Sequence, residues 1–257
     1  MNLRVYRTMF ANSIQQVLIY RTTSILIIVF GLLFYIIEMF AGVIYFNYTD
    51  NILGWTKWDY FSLVTTASII QYSYNLIFIW GVSNLSNTII DGNLDYIILR
   101  PLNSFWYYAL YRTDFPSIVN IVLGIAVQGW IISKRNSSLI QILLYILFVL
   151  MGIWFIFLIN YLLVMVSFWK EKSDALVWIP ETLMENSTRP AAIYPKWLQF
   201  LLMWVLPTLT AINLPVDIIR GKVNITNMFW YVIFIIIFTI VTYKIWHVGL
   251  KKYQSSN

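Results

Sequence analysis

Few side chains in this chain could do chemistry, and they are scattered between long apolar segments. The sequence of 257 residues contains one His, no Cys and 11 acidic residues. It has no phosphate-binding G-x-x-x-x-G-K-[ST] loop, no G-x-S-x-G elbow and no H-E-x-x-H pair. The lack of Cys also excludes disulfides and thiolate metal sites. Work against a gradient would therefore need energy from a partner or from an ion gradient.

Glu38 is the single acid well inside an apolar run. A charge near a bilayer centre costs several kcal/mol, so this carboxyl should be paired, protonated or facing a cavity. It shares one helical face with Gly31, Tyr35 and Gly42. Small residues on that face favour close helix contact. Two interpretations stay open for Glu38: a hydrogen-bonded packing contact, or a residue of a translocation pathway.

A second polar face lies in the next apolar run. Its side chains recur at helical spacing and comprise Thr65, Ser68, Gln71 or Tyr72, and Asn75. Hydrogen bonds between helices would explain them, and so would the wall of a polar conduit. We therefore include Thr65, Ser68, Gln71 and Asn75 with Glu38 as candidate pathway residues.

The connection 85–114 is the most informative polar stretch. Asp91-Gly92 indicates a turn, Asp95 is predicted to cap a short helix over 96–99, and Pro101 ends that helix. A short helix held between two spans could dock into a soluble partner and move with it. The alternative is a solvated interfacial loop.

The acidic residues of the same stretch also allow an enzymatic interpretation. Membrane phosphotransferases hold a divalent metal with clustered carboxylates, and Mg²⁺ needs only one or two of them. Asp91 and Asp95 could supply these, but the next acid is Asp114, beyond Pro101. A Mg²⁺-dependent lipid-modifying enzyme is therefore the weaker alternative.

Composition indicates that these polar residues are carried on membrane-spanning helices. The chain is 60% hydrophobic and 11% charged, whereas soluble domains are about 45–50% apolar and about 25% charged. Its mean hydropathy is +0.72. This composition excludes soluble and disordered classes and predicts an all-α integral membrane protein of about six spans of about 20 residues each. The net charge of +6 suits anionic membrane lipid, and its dispersal argues against nucleic acid.

The chain divides into two predicted parts. Residues 1–22 form an amphipathic interfacial helix, and residues 23–257 form a single six-helix transmembrane domain. Five spans follow from continuous apolar runs, at approximately 23–46, 60–84, 115–133, 139–168 and 225–246.

The region 180–215 is irregular because five of the seven prolines lie in it. Either 195–214 is an ordinary fifth span, or the fifth span is 172–189 and 195–214 is a re-entrant hairpin. Most of the 17 Lys and Arg residues fall on one side under both alternatives. The positive-inside rule then predicts that both termini are cytoplasmic.

Three segments together resemble the ABC-2 type permeases, and most of all their viologen-exporter-like branch. They are GNLDYIILRPLN at 92–103, IYPKWL at 193–198 followed by Leu-Pro pairs at 206–207 and 214–215, and WHVGLKKYQSS at 246–256. Their order and spacing match the family over essentially the whole chain. Glu38 and Lys134-Arg135 match no signature.

The resemblance implies a six-span membrane subunit of an ATP-binding cassette exporter in a bacterial cytoplasmic membrane. Such subunits pair as homodimers or heterodimers and bind two copies of a separate ATPase, which carries the ATP and Mg²⁺; this chain would bind no cofactor. An amphiphilic substrate would move outward by alternating access. The coupling residues that the resemblance implies are Gly92, Leu94, Asp95, Leu99, Arg100 and Pro101. A non-ATPase-linked immunity or regulatory membrane protein is a further alternative.

Overall fold

The computed structural model describes residues 3–99, 103–170 and 178–253. These residues form helices, with one isolated β-bridge between Ile52 and Trp55 and no strand among them. The predicted all-α fold is confirmed. The predicted coupling residues Arg100 and Pro101 lie outside the described residues.

Eleven α-helices follow one another in the described parts of the chain. In order they are α1 Leu3–Ile19, α2 Arg21–Asn47, α3 Lys57–Ile90, α4 Asp95–Ile98, α5 Ser104–Ala109, α6 Ser117–Ser133, α7 Leu139–Val164, α8 Trp178–Ser187, α9 Lys196–Phe200, α10 Thr208–Ile219 and α11 Ile225–Lys252. A 3₁₀ turn, Met165–Phe168, extends α7, and a π-helical turn, Leu201–Val205, extends α9.

Three of the described helices are long and apolar enough to cross a membrane: α2, α7 with its 3₁₀ extension, and α11. The bent pair formed by α9 and α10 would make a fourth if it were counted as one span. The helix α6 is apolar but has only 17 residues. The chain is therefore a multi-pass helical membrane protein, and six spans remain a prediction.

The helix α3 is the centre of the bundle and packs against α2, α6, α7 and α10. Its 34 residues extend about 50 Å, well beyond the roughly 30 Å of a bilayer core. Its last turns lie beyond the predicted span 60–84, whose membrane bounds stay a prediction. The helix continues to Ile90 because Leu85 and Ile89 are buried and Ser86 Oγ lies 2.9 Å from Ser167 Oγ.

Two capping boxes fix where helices begin at one end of the bundle. Thr56 and Asp59 satisfy each other's backbone N–H groups at the start of α3, and Ser138 and Gln141 do the same at the start of α7. Each box removes two unsatisfied donors from a helix N-terminus. These ends are therefore set by the local sequence.

The proline-rich region folds as a broken segment. The α9 segment, including its π-helical turn, and α10 meet at Pro207 at an angle of 88°. With 12 residues, α10 is about 18 Å long and cannot cross a 30 Å core.

The two ends of this segment lie at the same end of the bundle. Arg189 interacts electrostatically with Tyr60 near the start of α3, and Arg220 Nη2 donates to the Gly54 carbonyl oxygen at 2.6 Å. An ordinary span would place its ends on opposite sides. The 88° break fits a broken span or a re-entrant loop, and the re-entrant alternative stays a prediction.

Candidate translocation cleft and coupling surface

The face of α2 that carries Glu38 packs closely against α3. A Cβ added at Gly31 would lie 2.5 Å from Tyr72 Oη, and one at Gly42 would lie 2.5 Å from the Tyr60 ring. Larger residues at either glycine would push the two helices apart. The two small residues therefore allow the close contact that their spacing predicted.

Glu38 stands between these glycines with one partner and an open side. Tyr60 Oη donates to Glu38 Oε2 at 3.5 Å, near the limit for a hydrogen bond. One turn away, Tyr35 Oη and Thr65 Oγ1 lie 2.9 Å apart. Glu38 also lines a cleft, so both interpretations of its sequence position stay predictions.

The cleft has a volume of about 270 Å³ and is bounded by α2, α3, α8 and α10. Its polar lining residues are Tyr35, Glu38, Ser68, Gln71, Tyr72, Asn75, Glu185 and Thr188. Gln71 Nε2 donates to Asn75 Oδ1 at 3.1 Å across one helical turn. The fold thus brings Glu38 and most of the predicted polar stripe of α3 into one space.

Thr65 does not line this cleft. It is fully buried and its hydroxyl pairs with Tyr35, so it positions a lining residue and does not itself face the cleft.

Two lining residues, Glu185 and Thr188, were missed by the sequence analysis. They lie in and just after α8, within the region that was described only by its prolines. Their three-residue spacing and the isolated acid were the available signals. Together with Glu38, Glu185 gives the cleft two carboxylates, and no Lys or Arg lines it within the described parts of the chain.

The predicted coupling stretch forms a tight turn followed by α4. Gly92 adopts φ +73°, a left-handed conformation that glycine tolerates without strain. Leu94 and Ile97 are buried in the main apolar core, whereas Leu99 is 84% exposed and Tyr96 is also exposed. One face of α4 therefore anchors it, and the other presents apolar side chains to the surroundings.

Two details of this stretch differ from the predictions. The helix begins at Asp95 with Leu94 as its N-cap, so the predicted capping role of Asp95 was wrong. The buried Leu94 fills the cap position because its side chain packs into the core, and that packing outweighs the lost capping bond. The buried Leu94 side chain anchors α4 to the core, and its predicted role in coupling stays a prediction.

Aromatic rings fasten the coupling stretch to the C-terminal end of α11. Trp246 is fully buried, stacks on Tyr161 with ring centroids 5.4 Å apart, and donates from Nε1 to Ser104 Oγ at 3.2 Å. Phe168 contacts both Trp246 and Tyr253. Tyr253 also interacts electrostatically with Asp95. Two of the three segments that carried the family resemblance, 92–103 and 246–256, thus contact each other at one end of the bundle.

The opposite end of the bundle carries an ion-pair cluster around Asp59, which the sequence analysis did not find. Asp59 accepts from Arg135 and lies 3.3 Å from Arg220 Nε. Arg220 also pairs with Asp217 at 2.7 Å and stacks over the Trp55 ring at 3.7 Å. This cluster joins the loop before α3, the loop after α6 and the end of α10.

The fold and the cleft define a class: a multi-pass helical membrane protein with a polar-lined cleft in its bundle. No group of three His, Cys, Asp or Glu residues that could hold a metal ion occurs among the described residues. A family model described as "ABC-2 family transporter protein" matches residues 32–257. The chain belongs to the ABC-2 transporter family and is a membrane permease of an ABC transporter.

No curated protein and no solved structure matches the chain. The predicted resemblance to ABC-2 type permeases is confirmed, while the viologen-exporter-like branch stays a prediction. Members of this family normally work with ABC ATPase partners as transport subunits without their own ATPase site.

Proposed function

We propose that this chain is the permease subunit of an ATP-driven exporter, which moves an amphiphilic substrate outward by alternating access. The polar cleft between α2, α3, α8 and α10 carries this proposal, because it places carboxylates, amides and hydroxyls inside an otherwise apolar bundle. A cleft with Glu38 and Glu185 favours neutral or cationic amphiphiles over anions. The apolar lining from Phe34, Val64 and Met184 would take the apolar part of the substrate.

The energy would come from two copies of a separate ATPase, which bind the ATP and Mg²⁺, while this chain binds no cofactor. The exposed face of α4, with Tyr96 and Leu99, supports a docking surface for that ATPase. Rigid attachment of α4 through Leu94 and Ile97 would transmit movement of the ATPase to α3 and α11. A second permease copy or a paralogue would complete the pair.

The charged and aromatic residues along α3 support a position for the bilayer core on this helix, and the positive-inside rule supports its orientation. Asp59 and Trp80 are 21 residues apart in this helix, which corresponds to about 31 Å, the thickness of a bilayer core. The last ten residues of α3 would then extend about 15 Å beyond the inner boundary. With the termini in the cytoplasm of a bacterial cell, α4 lies where a soluble ATPase can reach it.

The test is to co-express the chain with candidate ATPases, purify it, and reconstitute it in liposomes. An ATPase should co-elute, and its ATP hydrolysis should drive accumulation of a cationic amphiphilic dye in inside-out vesicles. If no ATPase binds and an activity instead requires Asp91, Asp95 and Mg²⁺, the chain is an enzyme and the transporter proposal fails.

A further inference from the structure

A second cleft, of about 340 Å³, lies where α1 joins α2. Besides these two helices, it is bounded by Trp80 of α3 and by the connector from Arg112 to Pro116. It shares no lining residue with the candidate translocation cleft. This inference rests on the orientation proposed above, in which Trp80 lies at the inner end of the bilayer core on α3. In that orientation the second cleft lies at the depth of the cytoplasmic lipid headgroups.

Arg112 is the cation of this cleft, and its charge is not neutralised by an ion pair. Its guanidinium carbon lies 4.0 Å above the centroid of the Trp80 ring. Its Nε is buried without a hydrogen-bond partner, and none of the ion pairs within 4.0 Å in the described chain includes it. An arginine stays charged in proteins, and because the Arg112 side chain lines the cleft, its charge faces an anion that enters there.

The acid in the cleft is already committed to other partners. Asp114 interacts with Arg112 electrostatically. However, its Oδ1 accepts from Trp80 Nε1 at 3.1 Å, and its Oδ2 accepts from Ser117 Oγ at 2.6 Å. Asp114 therefore holds Trp80 in place beneath the guanidinium and leaves the outer side of Arg112 free.

The remaining lining suits a lipid headgroup and the start of its chains. Tyr20, Thr23, Ser24 and Thr113 supply hydroxyls, and the buried Gln16 Oε1 is an acceptor without a partner. Val17 and Ile27 form an apolar wall, next to which Leu18 and Leu26 are exposed on the surface of the bundle.

We propose that this cleft binds the phosphate group of an anionic glycerophospholipid from the inner leaflet. Arg112 contacts the phosphate oxygens, the hydroxyls add hydrogen bonds, and the acyl chains follow Val17 and Ile27 into the bilayer. The orphaned Gln16 Oε1 accepts a hydrogen bond from a headgroup hydroxyl. The site anchors α1 to the membrane surface, and it does not depend on the direction of transport.

The test uses the purified full-length chain in detergent, with lipid removed and then added back. Lipid retention is measured by native mass spectrometry, and the midpoint Tm is followed in parallel. The probes are palmitoyl-oleoyl phosphatidylglycerol, the matching phosphatidylcholine, and inorganic phosphate at the same concentration. We expect phosphatidylglycerol to be retained and to raise Tm, and we expect the other two probes to do neither.

Arg112→Ala should lower the affinity for phosphatidylglycerol about fivefold, the effect of losing one cation near the lipid surface. Arg112→Lys should retain part of the affinity, which keeps the test valid if the alanine variant does not fold. Arg21→Ala is the matched control, because Arg21 begins α2 in the same region but does not line the cleft. Its affinity should equal that of the wild type.

Three results would overturn the proposal. Equal retention of both phospholipids by the wild type would show that no anion is recognised. Equal losses in Arg112→Ala and Arg21→Ala would indicate diffuse surface charge instead of a site. Binding of inorganic phosphate as tightly as the lipid would assign the cleft to a free phosphate.

Discussion

Glu38 combines a weak hydrogen bond with exposure to the cleft, and this combination distinguishes it from a packing residue. A carboxylate held only for packing would have short hydrogen bonds and little exposure, because an unpaired buried charge is costly. Here the Tyr60 hydroxyl is 3.5 Å away, and the side chain faces the cleft. The side chain at this position therefore faces the cleft, which supports the pathway role proposed for it.

Replacing Glu38 with Gln should lower transport of a cationic amphiphilic dye about tenfold, the effect of removing one charge-assisted contact. The amide oxygen can still accept from Tyr60, so folding and ATPase binding should be retained. Dye accumulation in reconstituted vesicles is the measurement. Asp50→Asn, an exposed acid in the loop after α2, is the control and should transport normally. Equal transport by both variants would show that Glu38 is not part of the proposed pathway.

Asp59 pairs with Arg135 and Arg220 at the end of the bundle that lies opposite α4, and we expect it to stabilise the fold. The Arg220 side chain is only 5% exposed, whereas that of Arg135 is 21% exposed. Asp59→Asn would leave Arg220 buried with one carboxylate fewer, and should destabilise the protein by about 3 kcal/mol. Arg135→Gln should cost less than about 1 kcal/mol, since a partly exposed pair contributes little.

Thermal unfolding of both variants in the same detergent measures this difference. The Asp59→Asn variant should have the lower Tm by several degrees. A larger loss in Arg135→Gln would show that Arg135, and not Arg220, is the main partner of Asp59.

At the scale of secondary-structure elements, local sequence accounts for α4, whereas tertiary packing accounts for the length of α3. The turn at Gly92 and the short helix after it could be predicted from the sequence, because turn residues act over a few positions. The length of α3 could not, since its last turns are held by Leu85 and Ile89 packing against distant segments. Tertiary packing overrode the weak local signal for a loop at 85–90.

Leu99→Asp should abolish co-purification of the ATPase and leave the fold intact, because Leu99 is 84% exposed. A charge on the exposed face of α4 would have to be desolvated on docking. Tyr48→Asp is the matched control: Tyr48 is 89% exposed but follows α2 at the other end of the bundle. Co-elution on size-exclusion chromatography is the measurement, and an unchanged complex with Leu99→Asp would exclude this face as the docking surface.

At the scale of the whole molecule, the predicted topology depends on whether the segment from α9 to α10 crosses the membrane or returns to the side from which it enters. The segment from α9 to α10 turns through 88°. Asn213 Oδ1 accepts from the Ala191 N–H at 3.0 Å, which ties the middle of α10 to the residues after α8. Freed backbone groups at a broken helix are tolerated where protein groups satisfy them. Here Thr210 Oγ1 donates to the Met203 carbonyl oxygen at 3.0 Å, and α10 packs against α7 and α3.

The lack of cysteine makes this topology directly testable. A Cys introduced at Arg189 should react with a membrane-impermeant maleimide in intact cells. One introduced at Tyr96 should react only after the membrane is permeabilised. Both side chains are exposed, so reactivity reports the side of the membrane. Labelling of the Arg189 variant only after permeabilisation would contradict the re-entrant topology.

The sequence by itself determined the class, the helical fold, the polar faces of α2 and α3, and the family. These depend on composition, on periodicity along one helix and on short signatures, all of which are local. Only the tertiary structure decided that α8 adds Glu185 to the cleft and that Arg135 and Arg220 share Asp59. It also decided that the second cleft forms around Arg112. The residues of each group lie tens of positions apart in the sequence. Their contacts depend on how the helices pack, which no local pattern of a single sequence specifies.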